Sequence, residues 1–245
     1  ARGPDCPMRF LLVLLLCGLL PAAQAAPPRA THAEVAVLAT LHTLHAQVPA
    51  YSLQVLRDSI LRLAPDVLCI EVRPDRYAQR APEANKVEYP DAVYPLIDAH
   101  GYRVYPMEPA QPRFDAILKP YLQASREFAA TNPAASAAFS AHAESMYAPL
   151  RAYWTSAARV NDAVTDAQMR AKHALQEGLV GEGERAGWDA WNGEFLATIE
   201  RAAAENPGKR VVVLVGAEHG YWLREKLAQR PGIRLLDTSA LLADN

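Results

Sequence analysis

Residues 211–215 read Val-Val-Val-Leu-Val and run into Gly216. A short, wholly apolar, β-branched run is a strand covered on both faces, because a strand with one wet face would alternate apolar and polar residues. Such strands belong to parallel sheets sandwiched between helices, which narrows the fold class to layered α/β. Val35-Ala36-Val37-Leu38-Ala39 and Val67-Leu68-Cys69-Ile70-Glu71-Val72 are similar runs earlier in the chain. Between them Leu53, Leu56, Ile60 and Leu61 recur at helical spacing, with Arg57, Asp58 and Arg62 on the wet side, until Pro65-Asp66 ends the helix. Two covered strands joined by a helix form a βαβ unit, so the predicted sheet is mainly parallel.

The rest of the chain extends that plan. Tyr94, Leu96 and Ile97 predict a helix closed by His100-Gly101, where Gly suits a left-handed C-terminal position. Arg103-Val104-Tyr105 predicts a third strand, stopped by Pro106. From about residue 112 to 205 the composition turns to Ala, Gln, Glu and Arg with helical periodicity, an α-helical insertion between the third and fourth predicted strands. After the Val-rich strand, Gly216-Ala217-Glu218-His219 opens a helix through Leu223 and Leu227, and Ile233 to Leu236 predicts a last strand.

The N-terminal segment is read separately. Met8-Arg9 precedes an apolar run from Phe10 to Leu20, and Ala23-Gln24-Ala25 supplies small residues for cleavage after Ala25. This is the pattern of a secretory signal, and the run is shorter than the ~20 apolar residues of a membrane span. The expectation is an exported protein, periplasmic or secreted, with one domain over residues 26–245 and no later membrane span. Cys69 would then be its sole cysteine, so core packing rather than a disulfide must hold it together. A formal net charge of −2 offers no field to gather phosphates, which excludes nucleic acid as the expected partner.

In a parallel sheet the strand carboxyl ends share one edge, and ligands bind in the crevice beyond it. His42 lies just past the first strand, Glu71 ends the second, Glu108 follows the third, and Glu218-His219 follow the fourth. Two imidazoles and up to three carboxylates on one edge suit zinc, manganese or iron, or general-base chemistry without a metal. Each residue also has a plainer role: Glu71 capping a helix or pairing with Arg73 or Arg76, His219 as a polar turn residue, Glu108 as part of a turn. His32 and His45 are expected to be solvated, Cys69 an inert core thiol, and Asn192 and Glu194 part of a core helix or of the pocket. Because His219 follows the turn at Gly216, it is expected to face an open crevice, where truncation would leave the fold nearly as stable. The sequence holds no GxGxxG, P-loop, HExxH, CxxC or GxSxG motif.

At these residues the chain resembles the TraB, PrgY, GumN and Tiki proteins, with haem-binding ChaN proteins and erythromycin esterases as more distant relatives. That family opens with Gly-Thr-x-His, matched by Ala39-Thr40-Leu41-His42 except that Ala stands for Gly. It continues with Pro-Asp, a strand ending in Glu and a following Arg, matched by Pro65-Asp66 and Glu71-Val72-Arg73-Pro74-Asp75-Arg76. It closes with Gly-x-x-His after an apolar strand, matched by Gly216-Ala217-Glu218-His219. The likeness covers about residues 34–110 and 190–240.

The resemblance implies an α/β fold with a pocket at the strand ends. It also implies a metal-dependent hydrolase, with a peptide or small molecule as substrate. In that reading His42 and His219 hold a divalent metal, Glu71 is a ligand or general base, Glu108 is a further ligand, and Arg76 orients a carboxylate or meets developing negative charge. The ChaN likeness implies an alternative, a haem- or iron-binding protein with His42 or a tyrosine such as Tyr77 as axial ligand. A catalytically inert relative is the third expectation.

Overall fold

The computed structural model describes residues 1, 3, 32–83 and 85–243. The secretory-signal reading falls on residues outside these. The chain begins with β1 (Ala33–Thr40), α1 (Leu53–Leu63), β2 (Val67–Ile70) and α2 (Pro74–Ala78), and a π-helical turn then leads into α3 (Tyr94–His100) and β3 (Arg103–Pro106). Five helices follow: α4 (Arg113–Thr131), α5 (Pro133–Tyr153), α6 (Ala157–Val160), α7 (Ala163–Val180) and α8 (Glu182–Glu205). The chain then returns through β4 (Arg210–Gly216), α9 (Ala217–Leu227), β5 (Ile233–Leu235) and α10 (Thr238–Leu242). The expected α/β class, the parallel sheet and the helical insertion between the third and fourth strands are all present.

The sheet has five strands in the order β3-β2-β4-β1-β5, every pairing parallel. The Val-rich strand is the central one, which is why both its faces are apolar. Val211, Val213 and Val215 pack with Phe195, Ile199 and Leu223 on the side of α8 and α9. Val212 and Leu214 pack on the other side with Leu56, Ile60 and Leu96 from α1 and α3. This period of two divides β1 in the same way, with Val35 and Val37 on one face and Ala36 and Leu38 on the other. Cys69 is fully buried in β2, and burial pushes its thiol pKa far up, so it is an inert core thiol.

Register positions the site. Thr40 pairs with Gly216 across β1 and β4, while Ile70 pairs with Leu214 across β2 and β4. The chain therefore leaves β2, β4 and β1 side by side, and the residues just beyond these strands emerge along one edge.

Candidate functional site

His42 turns off β1 with a left-handed backbone, φ 49°, which aims its ring back across the end of β4. Its Nε2 lies 3.9 Å from Glu71 Oε2. Beyond β4, in the first turn of α9, His219 sets its own Nε2 4.0 Å from the other oxygen, Glu71 Oε1. His42 and His219 also line one cavity of about 260 Å³ with Thr43, Asn85, Tyr147 and Glu218. The structure thus brings His42, Glu71 and His219 together, although 177 positions separate the two imidazoles (219 − 42).

Each imidazole is held from behind. His42 Nδ1 lies 2.7 Å from Glu88 Oε1, which also accepts from Thr40 Oγ1 at 2.9 Å. His219 Nδ1 lies 2.8 Å from Asn192 Oδ1, and the Asn192 amide nitrogen donates to the Trp188 carbonyl at 2.9 Å. That second bond fixes the amide orientation, so His219 must donate through Nδ1 and carry its lone pair on Nε2. His219 is further stacked on Trp188 (centroids 4.6 Å) and met edge-on by Phe195 (5.2 Å). Its side chain is 12% exposed. His219 thus lines the cavity with its ring packed on Trp188 and Phe195 of α8, packing that the sequence reading did not foresee, because the Trp-rich helix is both core and pocket wall.

The electrostatics divide the imidazoles. Burial draws His219 down to about 4, leaving it neutral at neutral pH. Burial also draws on His42, but the Glu88 hydrogen bond and the charges of Glu71 and Glu88 outweigh it and raise its pKa above 6.5. Burial would raise Glu71, yet Lys86, both imidazoles and the Gly216 amide hold it at about 2. That amide donates to Glu71 Oε2 at 2.6 Å.

Lys86 and Glu88 escaped the sequence reading. Lys86 Nζ lies 3.1 Å from Glu71 Oε1 and 2.5 Å from Glu108 Oε1. Glu108 therefore reaches the centre through this ammonium. Arg76 is one step farther, donating to the Pro82 carbonyl at 2.7 Å and lining a second cavity with Arg73, Glu83, Glu108 and Phe114. Tyr77 packs against Tyr94 and under Arg80. Glu194 pairs with Arg113. Of the two histidines expected to be solvated, His32 is exposed. His45, instead, is buried at 3%, accepting from the Leu41 amide and bonding the Tyr51 carbonyl; it braces the loop that carries His42.

The donor set, two imidazole nitrogens and a carboxylate oxygen, fits a divalent ion chemically. The holding of both Nδ1 atoms by neighbouring residues is the usual support of metal-ligating histidines. A metal with bonds of ~2.1 Å spans at most about 4.2 Å between two ligands, so the gaps of 3.9 and 4.0 Å are within reach. Tetrahedral spacing would need them to close by roughly half an ångström. Among the described residues, however, no group of three or more His, Cys, Asp or Glu side chains is placed so that it could hold a metal ion as it stands. No family model matches the chain, nor does any curated protein or solved structure.

Two expected results follow from this geometry. A Cβ on Gly216 would lie 2.6 Å from His42 Nε2 and 3.4 Å from Glu71 Oε2, so Gly216→Ala should displace the His42 ring and weaken any ion binding at the centre at least tenfold. Its backbone φ of −54° accepts alanine, so a calorimetric metal titration of the folded variant checks this. Burial raises Glu108 to about 7. A raised carboxyl loses stability as pH climbs from its unfolded value toward the folded one, and the penalty is complete above the latter. Glu108→Gln should therefore gain on the parent between pH 5 and pH 8, by on the order of 2 kcal/mol, in urea unfolding at both values. A difference independent of pH would mean that Glu108 titrates as an ordinary carboxyl.

Proposed function

We propose that the protein is a hydrolase centred on His42, Glu71 and His219, that a divalent metal held by these three residues assists it, and that it acts outside the cytoplasm on peptide bonds. The observation that carries this reading is the orientation of His219. Its Nε2 lone pair faces a carboxylate oxygen 4.0 Å away, and neither imidazole Nε2 has a hydrogen-bond partner among the described residues. Glu71 Oε1 meets the Lys86 ammonium at 3.1 Å, and the two unpaired Nε2 atoms together with the carboxylate offer a divalent ion nitrogen and oxygen donors. The resemblance to Tiki proteins and the Phe10–Leu20 and Ala23-Gln24-Ala25 segments support the peptidase and export parts.

A bound ion would polarise a carbonyl oxygen and lower the pKa of a water. The chain's own residues do the rest. Glu88 and Asn192 hold the two rings through Nδ1, which leaves each Nε2 turned to a Glu71 oxygen. Glu71, kept ionised by Lys86, supplies the anionic oxygen of the donor set. Lys86 keeps a positive charge beside the centre: burial would lower its pKa, but the charges of Glu71 and Glu108 outweigh that and hold it protonated. Trp188 and Phe195 exclude water from one flank of His219. For the haem alternative, Tyr77 is engaged by Tyr94 and Arg80 and does not line the His42 cavity.

The experiment is hydrolysis of a mixed peptide library by the purified chain, before and after dialysis against a chelator. Cleavage that disappears on chelation and returns with zinc or manganese is the expected result. A chain that cleaves nothing and develops a Soret band on haem addition would replace the hydrolase with the haem reading.

No helix among the described residues is long and apolar enough to cross a membrane.

A further inference from the structure

Beside the centre, a second cavity of about 400 Å³ is lined by Arg73, Arg76, Glu83, Glu108 and Phe114. We infer that this cavity binds the carboxylate end of the substrate, with Arg73 and Arg76 as its donors and Phe114 as its apolar wall. The two guanidiniums are held in place without being saturated. Arg73 gives Nε and Nη2 to Asp75 at 3.0 and 2.8 Å, and its plane lies over the Phe114 ring, 4.7 Å from the centroid. Arg76 gives one Nη2 bond to the Pro82 carbonyl, with Glu83 3.8 Å from its Nε. Neither Nη1 has a hydrogen-bond partner among the described residues. Paired guanidinium donors match the flat, two-oxygen edge of a carboxylate.

The wall is rigid, since Phe114 is itself met edge-on by Trp191 at 5.3 Å. Of the carboxyls in the lining, Glu108 is bonded by Lys86, and Glu83 stands 3.8 Å from Arg76 Nε, too far to hydrogen-bond it. Glu108 belongs to this cavity and shares the Lys86 ammonium with Glu71. The cavity and the His42–Glu71–His219 centre are therefore linked through the buried Glu108–Lys86–Glu71 ion pairs. The hydrolase reading is needed for calling the bound molecule a substrate; its binding rests on the cavity alone.

Calorimetric titration of the full chain with 3-phenylpropanoate tests this, with 3-phenylpropan-1-ol and 3-phenylpropan-1-amine as matched probes that carry no hydrolysable bond. The acid should bind at least tenfold more tightly than either comparator. The double variant Arg73→Gln/Arg76→Gln, its fold checked by circular dichroism, should lose that preference. Equal binding of acid and alcohol, tighter binding of the amine, or a preference that survives in the folded double variant would overturn the inference. The comparison of probes on the parent chain decides even if the double variant does not fold. Because no probe is cleaved, absence of peptidase activity leaves this result standing, and absence of the preference leaves the hydrolase reading standing.

Discussion

Lys86→Met should destabilise the protein by about 3–5 kcal/mol at neutral pH, the range for removing one partner of a buried ion pair. The side chains concerned are deeply placed: Lys86 is 13% exposed, Glu71 5% and Glu108 6%. Methionine keeps most of the length and the apolar stem, so the loss measures charge more than packing. The sign of the pH dependence separates the two. In the parent, Glu71 has a depressed pKa of about 2, so its stabilisation is present above the unfolded value near 4.3 and fades as pH falls toward 2. Without the ammonium, both carboxylates take up protons more readily in the folded state. The deficit of the variant in urea unfolding should therefore shrink as pH falls from 7 to 4. A deficit of the same size at both values would assign the effect to packing.

His219→Ala should cost about 2–4 kcal/mol even in metal-free protein, by cavity formation and by stranding the Asn192 carbonyl. The ring lies between Trp188 and Phe195 and bonds Asn192, so truncation removes packing as well as a proposed ligand. Unfolding must be compared on metal-free parent and variant, since a bound ion adds stability by mass action. A thermal midpoint unchanged by the substitution would contradict the observed packing. Metal affinity should fall with it, because one of the two imidazole donors is gone.

What could be read from the sequence and what could not divide along a physical line. The strands announce themselves through patterns that burial on both faces imposes, and Val211 to Val215 could hardly be anything but interior. A parallel sheet then places His42, Glu71 and His219 on one edge without any knowledge of side-chain contacts. Lys86 and Glu88 lie in the Asn85-Lys86-Val87-Glu88 stretch after α2, where nothing periodic marks them and each reads as an ordinary surface charge. Only the fold shows that this stretch is drawn across the strand ends, burying Glu88 completely. His45 misleads in the same way, since its burial comes from local bonds to Leu41 and Tyr51 rather than from an apolar pattern. Asn192 left a trace: a polar side chain amid Trp188, Trp191 and Phe195 needs a partner there, and His219 is that partner.

The proposed ion at the strand edge is tested most directly by elemental analysis of untagged protein, stripped with chelator, reloaded with zinc or manganese and desalted. A centre formed by His42, Glu71 and His219 predicts about one ion per chain in the parent and close to none in Glu71→Gln and in folded His219→Ala, with the parent's thermal midpoint raised on reloading. A parent chain that retains no ion, or variants that retain as much as the parent, would contradict it.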